Sequence, residues 1–296
     1  MTKITISNII KVPTKEVFDS YLNADDNRRW NTAGNGWTTG KTIIDSVVGK
    51  RWETEYVSPD RLNDFIFGGT YTEIIPFKKI GYAMNQADKP IAPQDRKVEV
   101  LFEELEDNIG TKITVIFDAE DQHPLEFQKA GWQQILNNFT NFIERKNNPE
   151  YSAKINSIVI NSTKELVWKA LLDKENYKLW AVTFQKDSYY EGEIKYDSEI
   201  KFLDIKGSGI SSIIKVCIPN YQISFEHQHE IKDFKDDLTS EANSYWKGLK
   251  ETYTIIEQTD KTILLEIYFD FPAAWIEEIS NAWPKALAII KEIAEK

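Results

Sequence analysis

Residues 118–146 read DAEDQHPLEFQKAGWQQILNNFTNFIERK, and this stretch decides the fold. A loop containing Pro124 leads into apolar residues at Leu125, Trp132, Leu136, Phe139 and Ile143. Spacings of seven, four, three and four put all five on one stripe of an α-helix. Residues 269–296, FDFPAAWIEEISNAWPKALAIIKEIAEK, repeat the plan with Ile276, Ile279, Trp283, Leu287, Ile290 and Ala294. A strand, a turn and a long amphipathic helix therefore close each half of the chain.

The segments that lead to these helices repeat as well. Ile4, Ile6, Ile10 and Val12 form an apolar strand, which Pro13-Thr14 ends, with Thr14 offered as a helix N-cap. Val17, Phe18, Tyr21 and Leu22 then mark one side of a helix, and a second short helix runs to Trp30. From Ala153 the same order returns: a strand through Ile155, Ile158 and Ile160, the echo Thr163-Lys164-Glu165-Leu166 of Thr14-Lys15-Glu16-Val17, and Trp180 in the place of Trp30. Strand–turn–strand patterns follow in both halves, such as Tyr71 to Met84 and Ser212 to His227. A repeat of about 150 residues is too long for a solenoid and reads as a duplicated domain. The expected domains are 1–146 and 152–296, with 147–151 as a linker broken by Pro149. Strands grouped between flanking helices predict an α+β fold with an antiparallel sheet in each half, curved around the long helix.

The totals narrow the function. The 296 residues carry a net charge of −11 and no long Lys/Arg run, which argues against nucleic acid or an anionic membrane as partner. Nine Trp, thirteen Tyr and fifteen Phe are a high aromatic load, which an aromatic-rich core can take up and which also suits a large pocket walled by flat side chains. The single Cys217 forms no intrachain disulfide and sits in an apolar run, as an inert thiol would. The N-terminus alternates and offers no signal-peptide block, and no apolar run is long enough to span a membrane, so a cytoplasmic protein is expected. Gly34-Asn35-Gly36 and Gly207-Ser208-Gly209 lack the spacing of a dinucleotide site, and no nucleophile elbow, phosphate loop or zinc helix occurs.

Several segments of the first half resemble one family. Ala24-Asp25-Asp26-Asn27-Arg28-Arg29-Trp30, Gly69-Thr70-Tyr71-Thr72-Glu73-Ile74-Ile75-Pro76, Arg96-Lys97-Val98-Glu99-Val100, residues 117–124 and Gly131-Trp132-Gln133 are similar to the homologues of the activator of the heat-shock-protein-90 ATPase, within the START-like (SRPBCC) superfamily. The second half resembles the superfamily without those motifs. The resemblance implies two tandem helix-grip domains, each with a hydrophobic tunnel between sheet and long helix. Relatives of this fold include lipid and hormone carriers, polyketide cyclases and chaperone-activating domains, so fold alone does not choose a function.

Strand alternation and the two helix stripes give candidate ligand contacts. They are Trp30, Trp52, Tyr56, Phe67, Tyr71, Tyr82, Met84, Phe102, Trp132 and Leu136 in the first half, and Trp180, Phe202, Phe225, His227, His229 and Trp283 in the second. His227 and His229 lie two apart on one strand, where paired imidazoles could bind a metal or move a proton. No third ligand is evident, so no metal and no cofactor is expected; the pair reads as a polar rim, with His227 the weak catalytic candidate. His123 reads as a loop residue. Pro284 stands inside the second long helix, where the first half has Gln133, and predicts a kink at Asn281–Pro284.

Three functions follow in order. The first is binding of a small apolar ligand (lipid, polyketide or aromatic-like), in a carrier or stress-response role without catalysis. The second is a cavity enzyme of cyclase or hydrolase type. The third is a module that modulates a chaperone ATPase.

Overall fold

β1 (Lys3–Ile10) alternates Ile4, Ile6 and Ile10 onto one buried face, and the chain turns at Pro13 into α1 (Thr14–Tyr21) and α2 (Ala24–Trp30). This is a computed structural model, describing residues 2–32, 34–87, 89–106, 109–240 and 243–296, and it divides into units of residues 1–148 and 149–296. In the first unit β2 (Thr38–Ile44), β3 (Arg51–Val57), β4 (Phe65–Ile75), β5 (Lys79–Met84), β6 (Arg96–Glu104) and β7 (Thr111–Asp118) follow, and α3 (Leu125–Lys146) closes it. The seven strands are antiparallel in the order β1-β7-β6-β5-β4-β3-β2. α1 and α2 carry the chain from one edge of the sheet to the other, and a meander brings it back. Register shifts at Thr39/Thr42 and Tyr71/Glu73 add the local bend and twist that bulges supply.

Two expectations change here. Thr14 caps nothing with its side chain; its Oγ1 instead lies 3.1 Å from Thr111 Oγ1, tying α1 to β7. Leu125 is 46% exposed, so the buried stripe of α3 is carried by Leu136, Phe139 and Ile143, with Trp132 stacked on Phe117 at 4.3 Å. A polar clamp sets the position of α3. Asn8 of β1 donates to Asn137 Oδ1 (3.0 Å) and Thr140 Oγ1 (2.8 Å) and accepts from Gln133 Nε2 (2.9 Å).

The second unit runs β8 (Tyr151–Ile160), α4 (Lys164–Leu172), α5 (Lys174–Ala181), β9 (Tyr189–Gly192), β10 (Glu199–Leu203), β11 (Gly209–Ile218), β12 (Gln222–Lys232), β13 (Lys235–Asp236), α6 (Asn243–Trp246), β14 (Lys250–Glu257), β15 (Ile263–Pro272) and α7 (Ile276–Ala294). Its sheet repeats the first, in the order β8-β15-β14-β12-β11-β10-β9, with β13 beside β12. Both units anchor the sheet alike: Lys97 N–H donates to Asp118 Oδ2 at 2.9 Å, and Lys250 N–H to Asp270 Oδ1. That correspondence places Val98 and Val100 of β6 opposite Glu251 and Tyr253 of β14 in the repeat. α7 stays helical in one run through Pro284, whose missing N–H leaves the Ser280 carbonyl without its ladder donor.

Candidate functional site: an aromatic cavity

In the first unit α3 lies closest to β1, where the Asn8 clamp holds it. The inner face of β3, β4 and β5 is not covered by that contact, and there the unit holds a cavity of about 320 Å³. Trp52 and Tyr56 reach it from β3, because alternation sends residues 52, 54 and 56 to the buried face. Phe65, Phe67 and Tyr71 come from β4, Tyr82 from β5, Tyr21 and Trp30 from α1 and α2, and Trp132, Ile135, Leu136 and Phe139 from α3. Gly69 makes room for this wall. A Cβ there would stand 2.5 Å from the Ala83 carbonyl oxygen and 3.3 Å from Trp52 Nε1.

The rings hold one another mostly edge to face, as aromatic quadrupoles prefer. Trp52 meets Phe67 at 5.6 Å and Tyr82 at 5.1 Å, Trp30 meets Phe139 at 4.8 Å, and Phe65 stacks on Tyr56 at 5.1 Å. Eleven of the eighteen lining residues are aromatic and none is charged. The polar groups form a short network: Tyr56 Oη donates to Asn31 Oδ1 (2.5 Å), and both Asn31 Nδ2 and Thr54 Oγ1 donate to Asn27 Oδ1 (3.1 Å each). Burial raises the phenols of Tyr21, Tyr56, Tyr71 and Tyr82 above their ordinary range, so they stay neutral donors at physiological pH. The indole N–H groups of Trp30 and Trp52 are buried without a hydrogen-bond partner. Among the described residues, the Tyr71 hydroxyl and the Asn27 side-chain nitrogen donate to no protein group either.

Residues 11–144 match the family described as Activator of Hsp90 ATPase homolog 1-like protein. The AHSA1-like protein from Aeromonas hydrophila, solved in solution, is 31% identical over 48% of this chain and 92% of its own, with a TM-score of 0.43. The chain belongs to this family. Two solved structures match this chain over its whole length. The di-domain ARO/CYC StfQ from the steffimycin biosynthetic pathway is 14% identical, covering 99% of this chain and 98% of its own at a TM-score of 0.53. The di-domain ARO/CYC BexL from the BE-7585A pathway is 12% identical, covering 100% and 99% at 0.50. At those identities they show the fold: two helix-grip units in tandem. Among curated proteins no sequence matches.

Of the ten first-unit candidates from the sequence, Trp30, Trp52, Tyr56, Phe67, Tyr71, Tyr82, Trp132 and Leu136 line the cavity. Phe102 does not; it faces inward further along β6, against Phe18 (5.2 Å) and Tyr21 (5.9 Å). Met84, at the end of β5, packs on the core outside the lining. Sequence reasoning missed Tyr21, Asn27, Asn31, Trp37, Phe65 and Phe139 as lining residues. Asn27 lay inside the quoted Asp-Asp-Asn-Arg-Arg-Trp segment, and Phe139 on the helix stripe, but nothing in a linear pattern joins α2 to β3.

In the second unit the candidate rings pack on each other. Trp180 stacks with Trp283 at 5.8 Å, Phe202 meets Phe225 at 5.2 Å, and Tyr253 meets both Phe225 and Trp283 at 5.6 Å. Here α4 and α5 both close against α7, whereas in the first unit α3 is approached by α2. The histidines also part from expectation. His227 is no rim residue: it is 2% exposed, its Nδ1 lies 2.8 Å from Ser212 Oγ, and Trp246 and Phe271 meet it edge-on. Burial lowers its pKa to about 4, so it stays neutral. His229 is half-buried, with Nε2 at 3.4 Å from Asp236 Oδ1. Tertiary structure supplies the acidic neighbours the sequence did not show: ligand atoms of Glu199, His229 and Asp236 lie within 4.8 Å of one another. Lys201 Nζ already stands there, 2.8 Å from Asp236 and 3.8 Å from Glu199, as the cation of the group. His123 is exposed in its loop, with Nδ1 at 2.7 Å from Glu120. No helix among the described residues is long and apolar enough to cross a membrane.

Proposed function

We propose that this protein binds a small, uncharged, flat molecule in the cavity of its first unit. The observation that carries the reading is the composition of the wall: about 320 Å³ lined by aromatic rings, with no charged residue to pair an ionised group. Burying an unpaired carboxylate or ammonium there would be costly, which disfavours a fatty acid. The volume lies at the small end of the range for ligand sites, roughly 300–1,000 Å³. The wall offers donors beyond those the described residues use (the Tyr71 phenol and the Asn27 amide), which suits a ligand carrying carbonyl or ether oxygens. The ARO/CYC relatives share the fold alone; that they come from biosynthetic pathways accords with a small organic ligand.

Quenching of tryptophan fluorescence by a hydroxylated flavone tests the reading, with palmitate as the charged comparison. The flavone is expected to bind and palmitate to bind at least tenfold more weakly. Leu136→Trp, which fills the cavity from α3, is expected to abolish flavone binding. Equal binding to wild type and Leu136→Trp would remove the cavity as the site.

A further inference from the structure

Unit 2 departs from unit 1 most sharply at the inner face of β14. Where the repeat sets Val98 and Val100, both buried, β14 has Glu251 and Tyr253. The fold therefore does not require polar groups there, and a buried carboxyl costs stability unless it is paired. Glu251 stands between Phe225 of β12 and Phe269 of β15, its direct cross-strand partners, which are 1% and 0% exposed. The Tyr253 hydroxyl donates to Glu251 Oε1. Tyr177 of α5 lies near enough for its phenol to be raised by Glu251, after burial itself, and its hydroxyl donates to no described residue. The remaining neighbours are uncharged rings, with Trp283 of α7 over Tyr253 and Phe269. Among the described residues no Lys, Arg or His acts on the carboxyl, and the ionisable groups coupled to it are these two phenols. Yet Glu251 is half-buried rather than fully enclosed, so the residue keeps accessible surface beside these rings.

We infer that Glu251, with Tyr253 and Tyr177, is a proton-transfer site in unit 2 for a neutral apolar substrate bearing a carbonyl group with an acidic α-hydrogen. Glu251 as carboxylate takes the α-proton: the C–H bond breaks and an O–H bond forms on the carboxyl, while the C–H electron pair becomes the C=C bond of the enolate and the carbonyl π pair moves to oxygen. The Tyr177 hydroxyl donates to the enolate oxygen, and return of a proton from Glu251 to the α-carbon restores the ketone. No oxidant or second reactant is needed. Tyr253 is a positioning residue: its hydrogen bond orients the carboxyl and favours the ionised form. Burial pushes Glu251 up to about 7, where a general base is both populated and strong at neutral pH. His227, held neutral against Ser212, lies outside this set.

The test is exchange of the α-hydrogens of 2-tetralone in D₂O, followed by NMR with the full chain. Exchange is expected about 100-fold faster than with acetate at the same concentration, within the usual range for a placed base. Glu251→Gln, isosteric with the protonated acid and checked for folding by circular dichroism, is expected to return the rate to background. Tyr177→Phe should lower the rate about tenfold without moving its pH profile. Tyr253→Phe should shift the rising limb of that profile to higher pH, since its bond lowers the carboxyl's pKa. Exchange no faster than with acetate, or unchanged in folded Glu251→Gln, overturns the inference. Flavone binding in unit 1 is read separately by Leu136→Trp, so failure of one reading leaves the other standing.

Discussion

His227 of β12 and Glu251 of β14 titrate in opposite directions, and both shifts arise first from burial. His227 falls from 6.5 to about 4, so its contribution to stability is fully present above 6.5 and is lost as pH falls toward 4. A shift of that size corresponds to about 3 kcal/mol. Glu251 rises from 4.5 to about 7, so its contribution is present below 4.5 and is lost as pH rises through 7. Between 4.5 and 6.5 the folded unit holds the carboxyl proton while the unfolded chain holds the imidazole proton, and the two slopes oppose. Glu251→Gln is therefore expected to steepen the rise of stability with pH across that window relative to wild type. Urea denaturation at a series of pH values, followed by tryptophan emission, measures it; identical slopes in the two proteins would contradict the shift. At this scale the sequence showed His227 and overlooked Glu251, because a glutamate on a strand reads as an outward residue until its cross-strand partners prove to be Phe225 and Phe269.

At the scale of elements, the two long helices were legible because a 3.6-residue period in apolar residues survives any tertiary context. Their seating was not. α3 is fixed on β1 by Asn8, Gln133, Asn137 and Thr140, a network assembled from residues more than 120 positions apart. The matching position in β8 is Ile158, which packs on the core of unit 2. Pro284 remains an irregularity inside α7. Pro284→Ala restores a donor for the Ser280 carbonyl and is expected to raise the stability of unit 2 by about 2 kcal/mol. That figure sets about 3 kcal/mol for an interior proline against about 1 kcal/mol from the looser unfolded chain. A denaturant midpoint that falls instead would show that α7 is shaped around the proline.

For the whole molecule, duplication gave two sheets of one topology with different interiors. Unit 1 places its polar groups as tyrosines and asparagines around a cavity, and unit 2 places a carboxyl among packed rings. A ligand specific for unit 1 should therefore raise the melting of that unit and leave unit 2 unchanged. At a concentration 100 times Kd the gain is about 2.7 kcal/mol, and scanning calorimetry with and without the flavone reads it. A shift shared equally by all transitions would contradict separate sites. The sequence by itself determined the repeat, the element order and the stripe of each closing helix, because these rest on local periodicity and on residues read along the chain. Tertiary structure decided that the closing helix of residues 125–146 leans on β1 and leaves a cavity, while that of 276–294 is met by two helices. Those outcomes depend on side chains far apart in sequence meeting across the sheet, a relation that no linear spacing encodes.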